Sequence, residues 1–244
     1  MIEKALRYLT GLKEEAMKPQ VVEIAGKTYC DKSMKRYDDE PFASSIEAST
    51  LTAMVDYIRN CGGELRPSMI LHVVSPTKVR LYSGLTAERK RECLFESSCN
   101  VPSFQFDRWQ DQERFLIELQ ACFEVTEDML LIQKVAGNVE AKTTANYGDD
   151  GVSQKTTIRQ GIASKTDVIV PNPVTLKPYR TFLEIDQPVS EFVFRIGDEH
   201  DKPVFKLIEA QGGLWKNKAM ADIKDYFAEH LADLGKTCRI TIIA

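Results

Sequence analysis

Apolar residues recur along the chain at intervals of two or of three to four, and the two periods mix without regular βαβ alternation. Ile2, Ala5, Leu6, Leu9, Leu12 and Ala16 share one side of a predicted helix over Ile2–Lys18, which Gly11 weakens and Pro19 ends. Val21–Tyr29 reads as a short strand interrupted by Gly26, and Cys30–Ser45 is charged, aperiodic and broken by Pro41. Ser49 is set to cap a helix over Thr50–Asn60, with Leu51, Met54, Val55 and Ile58 inward and Gly62-Gly63 stopping it. Met69–Val74 and Lys78–Ser83 form a hairpin through Ser75-Pro76-Thr77. Thr86 caps a basic helix, Ala87–Phe95, and Asn100–Trp109 is a loop carrying Phe104, Phe106 and Trp109. Asp111 caps a helix through Phe123, with Phe115, Leu116, Leu119 and Cys122 inward. Thr126 caps the next, with Leu130, Leu131 and Val135 inward and Gly137-Asn138 at its end. Val139–Ala145 and Val152–Arg159 read as a long polar hairpin, Pro203–Ala210 as a strand, and Trp215 or Asn217 to about Leu234 as a helix. Cys238–Ile243 is a final apolar strand, expected inside the sheet because Arg239 is its one charge.

The stretch Val168–Ile196 departs from this rhythm. Pro171, Pro173 and Pro178 fix φ and push their predecessors toward extended backbone, which excludes a helix across Val168–Pro178. Thr181–Asp186 and Glu191–Ile196 then read as two strands about a Gln187-Pro188 turn. Thr181, Leu183 and Ile185 would share one face, and Phe192, Phe194 and Ile196 another. Cross-strand charge pairing accounts for Arg180, Glu184, Glu191 and Arg195.

These patterns predict an α+β fold: a mixed, largely antiparallel sheet with packed helices, an N-terminal helical arm over residues 1–45, and a single domain over residues 46–244 projecting a hairpin at residues 139–159. The arm has too few apolar residues for a core of its own, so its apolar side needs a surface, on its own chain or on a neighbour.

The wording of the central stretch also carries a resemblance. Pro178-Tyr179-Arg180-Thr181-Phe182, Glu184, Gln187-Pro188 and Phe192-Val193-Phe194-Arg195 resemble the YfdQ-like family of phage and prophage proteins. Leu51-Thr52 with Asp56-Tyr57-Ile58, Arg91-Glu92, Asp150-Gly151-Val152-Ser153-Gln154, and Gly212-Gly213 with Trp215 extend it over about residues 41–244. The family is a domain of unknown function, so the resemblance implies a phage or prophage origin and no catalytic signature.

Composition narrows the classes. Against 36 acidic residues stand 32 basic ones, a net charge of −4 that argues against a general polyanion-binding surface while leaving room for a local basic patch. No pair of the six cysteines has C-x-x-C spacing, and no histidine lies near one in the sequence, so no zinc site is expected. Met1–Leu9 carries Glu3, Lys4 and Arg7 in place of an apolar signal core, and no apolar run reaches membrane-span length. The expectation is reduced thiols, a bacterial cytoplasm and no membrane.

Candidate chemistry is sparse. Phosphate loop, dinucleotide fingerprint, nucleophile elbow and metalloprotease helix are all missing. His72, His200 and His230 stand in unrelated contexts, and no catalytic residue, cofactor or metal is assigned. Asp149, Asp150, Asp167, Glu184 and Asp186 are enough carboxylates for a magnesium site, but a turn and ion pairs explain them more simply. The ligand-binding candidates are Tyr179, Arg180 and Arg195, aromatic-flanked cations suited to stacking and phosphate contact, with Gly212, Gly213 and Trp215, where a strand turns into a helix N-terminus. The bland reading of Gly212-Gly213 is a tight turn over a packed Trp215.

Three non-enzymatic functions follow. The first is self-association into a homo-oligomer, a ring or shell, through Ile2, Leu6, Leu9 and Leu12 of the arm and Tyr147 and Asp150 of the hairpin. The second is single-stranded nucleic-acid binding in phage replication or recombination. The third is sequestration of a small nucleotide signal, with Arg180 or Arg195 on its phosphate.

Overall fold

The computed structural model describes residues 2–32, 42–87, 89–139, 153–160, 164–200, 202–236 and 239–244. By contact density the chain falls into two units, Met1–Phe42 and Ala43–Ala244. The first contains helix α1 (Ile2–Met17) and the antiparallel hairpin of β1 (Val21–Ile24) and β2 (Lys27–Cys30). The strand expected over Val21–Tyr29 is thus a hairpin, turning at Ala25-Gly26, both at positive φ. No described residue of α1, β1 or β2 is buried.

In the second unit, β3 (Ile46–Ala48), α2 (Leu51–Asn60), β4 (Ser68–Ser75), β5 (Lys78–Ser83) and β6 (Cys93–Ser98) come first. They are followed by β7 (Gln110–Asp111), α3 (Gln112–Cys122), α4 (Glu127–Asn138), β8 (Ser153–Gln160), β9 (Ser164–Pro171) and β10 (Val174–Leu176). The chain closes with β11 (Ser190–Glu199), β12 (Lys202–Glu209), α5 (Trp215–His230), a 3₁₀ turn at Ala232–Lys236, and β13 (Arg239–Ile243). This is an α+β fold with mixed and antiparallel sheets.

Two sheets carry two cores. In the order β10-β11-β12-β7 all pairings are antiparallel, and α3 and α4 bury Phe115, Leu119, Met129, Ile132 and Val135 with Phe192, Phe194 and Phe205. In the order β13-β4-β5-β6-β3 the central strands are antiparallel, with β13 parallel to β4 and β3 parallel to β6. There Leu51, Met54, Ile223 and Phe227 from α2 and α5 are buried with Met69, Leu71, Val79 and Leu81. Strands β8 and β9 form a separate two-stranded antiparallel sheet.

Several expectations are corrected. Thr181–Asp186 is a turn and not a strand: Thr181 and Phe182 are buried while Leu183 is 73% exposed, so their alternation marks no sheet face. The partners of β11 are β10 and β12. The basic run Arg89-Lys90-Arg91 lies in a tight loop ahead of β6, not in a helix. The Thr86 amide donates to the Lys90 carbonyl, its carbonyl accepts from the Arg89 amide and its hydroxyl from the Lys90 amide, and Arg89 sits at φ 61°. Thr50, one residue after the expected Ser49, caps α2. The buried face of α4 carries Met129, Ile132 and Ala136 beside Val135, while Leu130 is half exposed. Val139 caps α4 and is buried in the first core, so it does not open a hairpin. Ser153–Gln160 pairs with Ser164–Pro171, not with residues 139–145; residues 140–152, Tyr147 and Asp150 among them, lie outside the described residues. Finally, β13 is an edge strand, parallel to β4, with Arg239 on the rim.

Candidate ligand site

The segment after β10 is pulled against the end of α3. The amide of Tyr179 donates to the Cys122 carbonyl at 2.8 Å, and the amide of Glu124 to the Lys177 carbonyl at 2.8 Å. That docking delivers Arg180 into the protein. A buried glutamine then closes the chain behind it: Gln187 Oε1 accepts from the amides of Arg180 (2.9 Å) and Thr181 (3.3 Å), while its Nε2 donates to the Phe182 carbonyl (3.1 Å). The same turn ties the two sheets. Thr181 Oγ1 donates to the Pro76 carbonyl between β4 and β5, and Glu184 accepts from the amides of Leu51 (2.7 Å) and Thr52 (3.3 Å) at the start of α2.

Arg180 is 8% exposed. Its guanidinium carbon lies 5.3 Å from the Phe106 ring centroid, 5.1 Å from Phe192 and 4.7 Å from Trp215, a three-ring cradle. Nη1 donates to Glu209 at 3.0 Å and to Ser190 Oγ at 3.3 Å. Among the described residues Nη2, which is buried, has no hydrogen-bond partner. Burial lowers the arginine from its ordinary range while Glu209 pulls it back up, and the group keeps its charge.

The strand-to-helix turn after β12 completes the site. Gly212 and Gly213 take φ of 58° and 85°, a conformation that side chains disfavour, so the pair is required there by its backbone. Among the described residues the amides of Gly212 and Gly213 enter no backbone hydrogen bond. Helix α5 begins at Trp215 with no side-chain cap and no acidic residue in its first turn. Lys216 passes over Gly213, and its ammonium lies 5.9 Å from the Trp215 ring.

Together these elements line a cavity of about 440 Å³ whose walls include Pro102, Phe104, Phe106, Tyr179, Arg180, Glu209, Gly212, Gly213, Trp215 and Lys216. Five of the six ligand candidates of the sequence therefore converge on one place. The sixth, Arg195, does not. It faces away from Phe194 and the core of β11, in register with Lys206, because the two-residue period of the strand sends it to the opposite face. Expected to pair across strands with acids, Arg180 instead finds Glu209, at the far end of β12, and Glu184 caps α2. Among the described residues no three His, Cys, Asp or Glu side chains gather as a metal site.

Sequence reasoning missed Glu209, Gln187, Lys216 and the cradle role of Phe106. Of these, Phe106 left a trace as one of three aromatics in a loop, and Gln187 as half of a turn signal with Pro188, though not for its side-chain bonds. The self-association candidates Ile2, Leu6, Leu9 and Leu12 lie on α1, between 45% and 78% exposed. No helix among the described residues is long and apolar enough to cross a membrane. Comparison with family models, with curated proteins and with solved structures returns no match for this chain.

Proposed function

We propose that this chain is a non-enzymatic binding protein whose ligand is a small nucleotide held in the Arg180 cavity. The observation that carries the reading is the buried Nη2 of Arg180, a charged donor without a partner in the wall of a concave site. Among the described residues Gln110 Oε1, Asn172 Nδ2 and Arg195 Nη1 are buried without a partner as well, but of the four residues only Arg180 lines this cavity, where an orphan donor marks the place of an absent acceptor. Lys216 and the open turn of α5 favour an anion there, and the aromatic walls favour a ring. The chemistry at hand is holding rather than turnover. Glu209 is engaged by Arg180, and burial pushes the Cys122 thiol up, away from the reactive thiolate. The phage or prophage origin rests on the resemblance alone, and a cytoplasmic setting is supported by the free thiols of Cys61, Cys93, Cys99 and Cys122.

Native mass spectrometry of the purified protein tests this, together with thermal unfolding against a nucleotide panel. A retained ligand, or a stabilisation of about 2.7 kcal/mol at a hundredfold excess over Kd, is expected. No retained mass and no shift with any nucleotide at millimolar concentration would remove the reading. Should single-stranded DNA alone shift the protein, with an affinity that falls as salt rises, the nucleic-acid reading replaces it.

A second reading, self-association, is favoured by a separate observation: every described residue of α1 is exposed, and Ile2, Leu6 and Leu9 exceed half exposure. In this reading α1 lies on a second copy of the chain. Size-exclusion chromatography with light scattering should give a multiple of 27.6 kDa, and deleting residues 1–18 should shrink it without unfolding the rest. A monodisperse 27.6 kDa species at micromolar concentration ends this proposal.

A further inference from the structure

Resting on the nucleotide-binding reading, we infer that the anion held in the Arg180 cavity is a phosphodiester, a phosphate with one negative charge and a substituent on each side. The first reason is charge. Among the described lining residues the cations are Arg180 and Lys216 and the carboxylate is Glu209, so the wall offers one net positive charge. A terminal phosphate or polyphosphate would bring two or more negative charges beside Glu209, which has no second partner cation in the wall. A diester brings one.

The second reason is the supply of donors. Nη1 of Arg180 is committed to Glu209 and Ser190, which leaves Nη2, with both of its N–H groups, to meet a ligand. Phe106, Phe192 and Trp215 hold the guanidinium on its rings, so this donor is fixed in place before any ligand arrives. Lys216 is the opposite kind of donor, a flexible ammonium carried over the Gly212-Gly213 turn. A fixed guanidinium nitrogen and a flexible ammonium, with the two glycine amides nearby, can reach both unesterified oxygens of a diester and need no third oxygen to engage them.

The third reason is the remaining wall. Pro102, Phe104, Phe106 and Tyr179 are apolar or aromatic, and about 440 Å³ exceeds what a phosphate fills. A phosphate esterified on both sides brings groups that cover such a wall. Two sources share this chemistry, a cyclic nucleotide and a single-stranded oligonucleotide.

Isothermal titration calorimetry at one ionic strength separates the cases, using a 3′,5′-cyclic nucleotide, a cyclic dinucleotide, a short single-stranded oligonucleotide, and the 5′-monophosphate and 5′-triphosphate of the same base. A diester is expected to bind about tenfold or more tighter than the monophosphate. Preference for a cyclic compound supports the inference, whereas preference for the oligonucleotide keeps the diester chemistry and replaces the small-nucleotide reading by the nucleic-acid one. Lys216→Ala, on an exposed stretch of α5, is expected to weaken the diester about fivefold to tenfold with an unchanged thermal midpoint. This keeps the test open even if Arg180 variants fail to fold. A monophosphate or triphosphate that binds as tightly as the diesters, and is weakened by Lys216→Ala, overturns the diester assignment and leaves the nucleotide reading standing. A panel in which nothing binds overturns both.

Discussion

Replacing Gln187 by alanine is expected to lower the unfolding free energy by about 2–4 kcal/mol, a large effect for a residue outside any helix or strand. Gln187 is 3% exposed, and its Oε1 is the acceptor for two amides in a buried turn, those of Arg180 and Thr181. With alanine both amides lose their acceptor where water does not reach, at about 1–3 kcal/mol for each orphaned group, with partial relaxation. The Phe182 carbonyl fares better, because it also accepts from the Ile185 amide. The turn holds more than itself. It inserts Phe182 into the core of the β4-β5-β6 sheet, carries Glu184 to α2, and fixes Arg180 at the cavity. Urea unfolding followed by circular dichroism measures the change, and a loss below about 0.5 kcal/mol would show that water or backbone shift replaces the side chain. Gln187→Glu sharpens the result. The introduced carboxylate keeps an acceptor for the amides but turns a second charged oxygen toward the Phe182 carbonyl. Its folded-state pKa is raised, so this variant should be weakest at neutral pH and recover as pH falls through that value, when the protonated acid donates again.

The fold was legible where one period dominated and the chemistry of the ends was local. Asp111 and Thr126 cap α3 and α4 as expected, since a capping side chain acts within three residues. Four successive apolar residues, Met129-Leu130-Leu131-Ile132, carry no period, so the buried face of α4 was set by the sheet below it and not by the pattern. Thr86 shows the reverse failure. The hydroxyl that caps a helix also closes a turn, and only the register of β6 against β5 decides between them. In Thr181–Asp186 a strand-like alternation arose from a turn whose buried residues reach two different neighbours, Pro76 for Thr181 and the second core for Phe182.

The site was half legible for a related reason. Tyr179-Arg180 and Gly212-Gly213-Leu214-Trp215 announce themselves by composition, an aromatic beside a cation and a glycine pair before a helix. Their convergence depends on β11 and β12 lying side by side, which brings Ser190 and Glu209 to Arg180 across 10 and 29 residues. Arg195 has the same local signature as Arg180, an arginine after an aromatic. What separates them is that one sits in a turn entering the core and the other on the outer face of a strand.

Arg180→Gln is the substitution expected to act on both stability and binding. Truncating the guanidinium removes its contact with three rings, each such contact contributing about 0.5–2 kcal/mol depending on how dry it is. It also leaves the Glu209 carboxylate, 27% exposed, without its cation at 3.0 Å. Because Glu209 retains some water, the loss should fall below the range for a fully buried pair, and about 2–4 kcal/mol is expected in total. Glu209→Gln has a different logic. It keeps the stacked guanidinium and removes the charge that offsets its burial, the influence that holds the Arg180 pKa up against desolvation. If the ion pair itself contributes, the double variant costs less than the two single variants combined, with a coupling of about 1–3 kcal/mol across the cycle. A coupling near zero in urea unfolding would instead assign the whole effect of Arg180 to packing against Phe106, Phe192 and Trp215. Binding discriminates further. Glu209→Gln keeps acceptors for Nη1 in Ser190 and the amide oxygen but removes the carboxylate and raises the net charge of the wall, so nucleotide affinity should rise while stability falls. A folded Arg180→Gln protein that still bound nucleotide with unchanged affinity would place the ligand elsewhere.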